Sequence, residues 1–267
     1  MSVLELNDVS KTYRSRQFAW SRRTVIEAVK NVSLRLDEGT CLALVGESGS
    51  GKSTLGKIVL GLEQPDRGEV TFLGRSLHQV SAKERKQLRR DMQLVFQDSH
   101  SAVNPRMTAL RIIAEPLRVH ERMTASEQLQ RVRELLEVVG LRGDDAGKYP
   151  HQFSGGQLQR ICIARAIALK PKLIVLDEAV NSLDVLVQSS ILRLLGQLKE
   201  RYGLSYLFIS HDLAAVRLLA DRVAVMEHGE IVETLDDASR LDELRHPAGK
   251  RLLQAVLPIR PYGLVLR

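Results

Sequence analysis

A chain of 267 residues with 44% apolar and 27% charged residues has the make-up of one large globular domain with a sizeable core. No apolar run approaches the roughly 18 residues needed to cross a bilayer, and the first residues do not read as a signal peptide, so a cytosolic chain is expected. The net charge of +7 admits nucleic acid or an anionic membrane surface as a partner, but aromatic residues at 4% offer no stacking platform for single strands. Basic residues gather at Arg14, Arg16, Arg22 and Arg23, again over 83–90, and near the C-terminus, where solvated helix faces are the plain alternative to a binding surface. Cys41 and Cys162 are far apart, lack metal-ligand spacing and lie in apolar surroundings, so both are expected as buried thiols.

Taken in order, residues 3–10 alternate apolar and polar, as a half-buried strand does. The polar, basic stretch 14–27 is expected as a loop or hairpin extension, followed by strands at 32–36 and 40–45. A helix over 52–60 precedes the turn Pro65-Asp66-Arg67-Gly68 and a strand at 69–73. The middle third reads as a charged helix over 84–90, a strand over 92–96, a polar loop to 106, and helices over 108–119 and 124–139. In the second helix Leu129, Val132, Leu135, Leu136 and Val139 form one stripe, with Glu127 placed to cap back to Thr124. Helices over 155–169, 185–200 and 213–220 then alternate with strands over 172–176, 205–209 and 222–226, and His228-Gly229-Glu230 turns into a last strand at 231–234. The pattern is that of an α/β domain with a mostly parallel sheet, an antiparallel β unit at the N-terminus and a helical insertion.

Three runs carry chemistry. Gly46-Glu47-Ser48-Gly49-Ser50-Gly51-Lys52-Ser53-Thr54 follows an apolar strand and opens a helix, the pattern of a phosphate-binding loop. Backbone N–H groups must curl round phosphate oxygens, which glycine permits; Lys52 reaches the outer phosphates, and the Ser53 hydroxyl can ligate Mg²⁺. Leu173-Ile174-Val175-Leu176-Asp177-Glu178 ends a buried-type strand in two acids, the first suited to Mg²⁺ and the second to polarising water. Phe153-Ser154-Gly155-Gly156-Gln157 reads as a capping box from Ser154 to Gln157, yet two glycines in a first turn are costly, by about 1 kcal/mol each in a helix interior. Bare N–H groups there suit an anion.

These runs, with Ser182-Leu183-Asp184 and Ser210-His211-Asp212, stand in the order and spacing of the ATP-binding cassette ATPases, which the chain resembles from about residue 3 to 234. That resemblance implies a phosphate-loop (RecA-like) ATPase domain over 1–236, with a helical subdomain at about 98–165, and a short helical extension over 237–267. It implies that Tyr13 stacks on adenine and that the loop from Gly46 to Thr54 holds ATP. Gln97 would contact Mg²⁺ and the attacking water, alongside Ser53 and Asp177 as metal ligands. Glu178 would be the general base, and His211 would hold it and the γ-phosphate in register. Ser154, Gly155, Gly156 and Gln157 would serve the nucleotide of a partner subunit, with Asp184 bridging the two sites.

Within that family, Gln97-Asp98-Ser99-His100-Ser101-Ala102-Val103-Asn104-Pro105-Arg106 is similar to the loop of the oligopeptide and nickel importer branch. His246-Pro247 followed by Leu252-Leu253 is similar to that branch too, although Ala248-Gly249 stands where Tyr-Thr is usual. Gly156-Gln157-Leu158-Gln159-Arg160 and the run from Asp177 to Asp184, with Ala179 in place of a common proline, look most like the second ATP-binding subunit of nickel importers. The resemblance implies ATP and Mg²⁺ as cofactors, and a homologous ATPase subunit, two transmembrane permeases and an extracytoplasmic binding protein as partners. It also implies a peripheral place on the cytoplasmic face of the inner membrane. The alternatives are an oligopeptide or dipeptide importer and, more distantly, a non-transport cassette acting on nucleic acid or ribosomes. Against the second stand a single set of motifs and the lack of a long heptad segment, so no nucleic acid is expected.

Overall fold

The computed structural model describes residues 1–15, 24–181 and 183–255. Arg16, Arg22 and Arg23, Ser182, and 256–267 of the expected C-terminal extension lie outside the described residues.

The N-terminal strands β1 (Ser2–Ser15) and β2 (Thr24–Asp37) form a long antiparallel hairpin. Of the stretch expected as a loop or hairpin extension, the described residues 14–15 and 24–27 are strand, with Tyr13 opposite Ile26 and Arg14 opposite Val25, as a hairpin extension requires. β1 also pairs with β4 (Arg67–Phe72), which turns back into the two-residue β5 (Arg75–Ser76), giving the order β2-β1-β4-β5. The turn between β4 and β5 holds Leu73 and Gly74 at φ of 50° and 71°. Two positive φ values make a tight hairpin turn, but leucine is a poor signal for one, so the sequence shows no hairpin there.

The second sheet runs β10-β9-β3-β8-β7-β6. It comprises β3 (Cys41–Val45), β6 (Met92–Phe96), β7 (Leu173–Asp177), β8 (Ser205–Ser210) and β9 (Arg222–Glu227), all parallel, with β10 (Glu230–Leu235) antiparallel at the edge. Its inner strands β3, β7 and β8 are buried almost throughout because both faces are covered. On β3, Cys41, Ala43 and Val45 face one core while Leu42 and Leu44 face the other. The second of these cores lies between the two sheets and takes in Leu55, Ile58 and Val59 of α1 (Lys52–Val59).

The first core collects the remaining helices: α3 (Ala109–His120), α4 (Ala125–Val138), α5 (Gly155–Ile167), α6 (Val185–Tyr202) and α7 (Leu213–Leu219). The α4 stripe faces inward as its spacing requires, and Thr124 and Glu127 form the expected capping box. By contrast α2 (Ala82–Asp91) carries the basic run, and residues 83–90 are exposed apart from the buried Leu88. Single 3₁₀ turns at Gly143–Gly147, Pro150–Gln152 and Ala238–Glu243 have no apolar period and were not foreseen. The last helix, α8 (Pro247–Ala255), buries Ala248 and Leu252 in the first core.

Candidate nucleotide site

The loop between β3 and α1 is pressed against neighbouring backbone. A Cβ at Gly46 would lie 2.2 Å from the Met226 carbonyl oxygen, and one at Gly51, which has a φ of 108°, would lie 2.1 Å from that of Ala28. Close approach therefore imposes glycine at both positions, and at Gly51 the backbone conformation does so as well. Gly229, in the β9–β10 turn, donates its N–H to the Ser50 carbonyl at 2.9 Å and ties the loop down from the other side.

Lys52 is buried, and its ammonium donates to the carbonyls of Gly46 and Glu47 at 2.7 and 2.8 Å and to Ser50 Oγ at 3.3 Å. Burial lowers its pKa, against the opposing charges of Glu178, Asp177 and Glu47. The loop rims a cavity of about 760 Å³ whose walls include Ser48, Gly49, Gly51, Lys52, Ser53, Thr54 and Glu178, with Tyr13, Val25 and Ile26 at its outer end. Tyr13 donates its hydroxyl to Glu63, and burial raises its pKa. The sequence reading passed over Val25 and Ile26; their signal is a β-branched pair inside a polar stretch.

Asp177 ends β7, and its Oδ1 accepts from Ser53 Oγ at 3.5 Å. Its pKa is raised, first by burial and then by the adjacent Glu178. A carboxylate made costly by burial and like charge, beside a serine hydroxyl, is a hard-oxygen pair that a divalent cation would relieve. Among the described residues no cluster of three or more His, Cys, Asp or Glu could hold a metal.

Glu178 sits in the left-handed region at a φ of 50°. His211 Nδ1 lies 3.4 Å from its Oε1 and 3.2 Å from Asn181 Nδ2. Gln97 is one residue beyond Phe96, and Phe96 is the register partner of Asp177, so the strand ends bring Gln97 to the same edge. The buried Gln159 holds that edge together: its Nε2 donates to the carbonyls of Ala179 at 2.7 Å and Phe96 at 3.4 Å. Neither Gln159 nor Asn181 was singled out by sequence, because a polar residue in an apolar helix or in a turn reads as solvent-facing.

The structure thus gathers Tyr13, the loop from Gly46 to Thr54, Gln97, Asp177, Glu178 and His211 about one sheet end. Ser154, Gly155, Gly156, Gln157 and Asp184 do not line that cavity, and neither do Gln97, Asp177 and His211, of which Asp177 touches Ser53 and His211 touches Glu178. Ser154 and Gln157 form the capping box at the start of α5. Gly156 has a steric reason of its own: its Cβ would lie 2.4 Å from Val187 Cγ1 on α6. Asp184 caps α6, accepting from the Val187 N–H at 3.0 Å.

Residues 29–181 match the ABC transporter family. The nickel import ATP-binding protein NikE of Brucella suis is 45% identical over 267 residues, covering 99% of each chain. The oligopeptide transport ATP-binding protein AppF of Bacillus subtilis is 43% identical over 268 residues, covering 100% of this chain and 82% of that one. The dimeric ATP-binding cassette MJ0796 in a post-hydrolysis state, bound to ADP and Pi, superposes with a TM-score of 0.76 at 33% identity, over 87% of this chain and 97% of that one. With the phosphate loop, the acidic strand end and a family match over more than half its length, the chain belongs to the ABC transporter family, as one of its ATP-hydrolysing subunits.

Proposed function

We propose that this chain powers a binding-protein-dependent importer of nickel(II). The observation that carries the reading is its similarity, at 45% identity and over 99% of both chains, to a nickel import ATP-binding protein. In this reading Lys52 and the loop amides hold the outer phosphates, and Tyr13 with Val25 and Ile26 holds the base. Ser53, Asp177 and Gln97 would hold Mg²⁺, which supplies charge neutralisation at the phosphates. Glu178 takes a proton from the attacking water, and His211 keeps Glu178 and the γ-phosphate aligned.

The remaining candidates, Ser154, Gly155, Gly156, Gln157 and Asp184, lie away from this chain's own cavity. They serve the nucleotide of a second, homologous ATPase subunit, so ATP binding closes a pair and hydrolysis reopens it. Two permease subunits dock near the Gln97 loop. A groove of about 370 Å³ lined by Leu60, Leu62, Met92, Leu94, Phe96 and Pro116, with Leu62 and Phe96 exposed, supports that placement. No helix among the described residues is long and apolar enough to cross a membrane. The permeases therefore supply the attachment to the inner face of the membrane.

Radioactive nickel(II) uptake in cells with and without this chain tests the reading. Uptake should fall without the chain and return with the wild-type copy but not with Glu178→Gln. Nickel uptake independent of the chain, together with lost oligopeptide uptake, would instead support a peptide importer. The full-length similarity to AppF favours that as the second reading.

A further inference from the structure

The helix α8 stands outside the cavity, yet it reaches the phosphate loop. Its entry is clamped by Glu233 of β10, whose carboxylate accepts the backbone N–H groups of Arg245 and His246 at 2.8 and 2.9 Å. Its apolar face, through Ala248 and Leu252, is seated in the core. Gly249 permits this close seating, since a Cβ there would lie 3.1 Å from Leu244 Cβ and 3.3 Å from Glu233 Oε2.

Held in this way, α8 aims Arg251 back at the loop. Its Nε donates to Glu47 Oε1 at 2.8 Å, and its terminal nitrogen donates to Glu227 at the end of β9. The Glu47 carbonyl in turn receives the Lys52 ammonium at 2.8 Å. A continuous line of contacts therefore runs from α8 through Glu47 to the residue that faces the phosphates.

We propose that Arg251 is a positioning residue for the phosphate loop: by binding Glu47 it neutralises the carboxylate at the loop's rim and anchors the loop to α8, so setting its affinity for a polyphosphate such as ATP. The proposal rests on the ATPase reading. Without Arg251 the Glu47 charge is uncompensated beside a site that must accept several negative charges, and like charges at short range oppose binding. Because both side chains are about half exposed, the effect is bounded: a rise in the ATP KM of about three- to tenfold at low salt, shrinking as salt screens the pair. The interaction is the same before and during the reaction, so kcat should hold.

The test is steady-state ATP hydrolysis and ATP titration of the full chain in its assembled transporter, at low and high ionic strength. Arg251→Ala should raise KM and the ATP dissociation constant together and leave kcat unchanged. Arg251→Lys should recover part of the loss. Adding Glu47→Gln to Arg251→Ala should bring KM part of the way back towards wild type, because the uncompensated charge on the loop itself is then gone while that of Glu227 remains. A purely structural role for Arg251 predicts no such rescue, so a KM that stays high in the double variant overturns the proposal, as does an unchanged KM in Arg251→Ala. If Arg251→Ala does not fold, Arg251→Met keeps the long stem and carries the same comparison. A wild-type chain that binds no ATP overturns the ATPase reading as well, whereas ATP binding indifferent to Arg251 overturns this proposal alone.

Discussion

Glu178 donates its backbone N–H to the Ile209 carbonyl at 2.9 Å while holding a φ of 50°, so the end of β7 is curled onto the end of β8. A non-glycine residue in that region costs on the order of 1–3 kcal/mol and persists only where its surroundings enforce it. Here the enforced turn places the carboxylate beside His211, two residues after Ile209. Glu178→Gln keeps the shape and removes the basicity. ATP hydrolysis should fall by about 10²- to 10⁴-fold with ATP affinity retained. Turnover and nucleotide titration on one preparation decide it, and normal turnover removes Glu178 from the role of base.

Lys52 is buried with three oxygen partners inside its own loop. Charge-assisted hydrogen bonds to phosphate are worth about 1.5–3 kcal/mol. Lys52→Ala should therefore weaken ATP binding by roughly tenfold or more. An unchanged titration curve would argue against the phosphate-loop assignment.

At Gly156 a methyl group would land 2.4 Å from Val187 Cγ1. Overpacking of this kind costs about 1–3 kcal/mol, so Gly156→Ala should lower urea stability by that amount. Val187→Ala in the same chain should return most of it, a coupling that a double-mutant cycle measures directly. Additive losses would show that the two helix ends are not in contact.

Burial pushes the Cys162 thiol up to about 11 and the Cys41 thiol higher still. At pH 8 neither carries appreciable thiolate, the reactive form. A thiol reagent should label neither cysteine in the native protein and both after denaturation. Fast native labelling of either would contradict its burial.

Asp145 accepts from Lys148 Nζ at 2.7 Å and from the Arg142 N–H at 3.0 Å, and these partners, Lys148 first, hold its pKa below the usual range. A depressed folded pKa stabilises above the unfolded value and is lost as pH falls through the folded one. Asp145→Asn should cost about 1–2 kcal/mol at neutral pH. The gap to wild type should close below about pH 4, the ordinary aspartate range. A gap that is constant with pH would assign the loss to packing.

What the sequence made legible follows from local pattern. Strands β3, β7 and β8 read as apolar runs because both their faces are covered, and Gly46–Thr54 reads as a loop because its chemistry is contiguous. Between loop and hairpin extension the sequence leaves the arms near Tyr13 and Ile26 open, because their residues are polar or half-exposed and no burial period marks them. The β4–β5 turn was hidden by leucine at Leu73. Contacts such as Arg251 to Glu47 join residues 204 positions apart, and no local period can encode them. The same holds for Gly156, whose neighbour Val187 is supplied by another helix.

The side chain of Gln159 makes the ends of β6 and β7 one lever. A load on the exposed ring of Phe96 is shared through a single amide with the carbonyl of Ala179, and Ala179 follows Glu178 directly in the chain. Parting the two ends strands a buried polar group, at about 1–3 kcal/mol. The joint therefore resists parting, and it ties the rim of the apolar groove to the residue that follows Glu178.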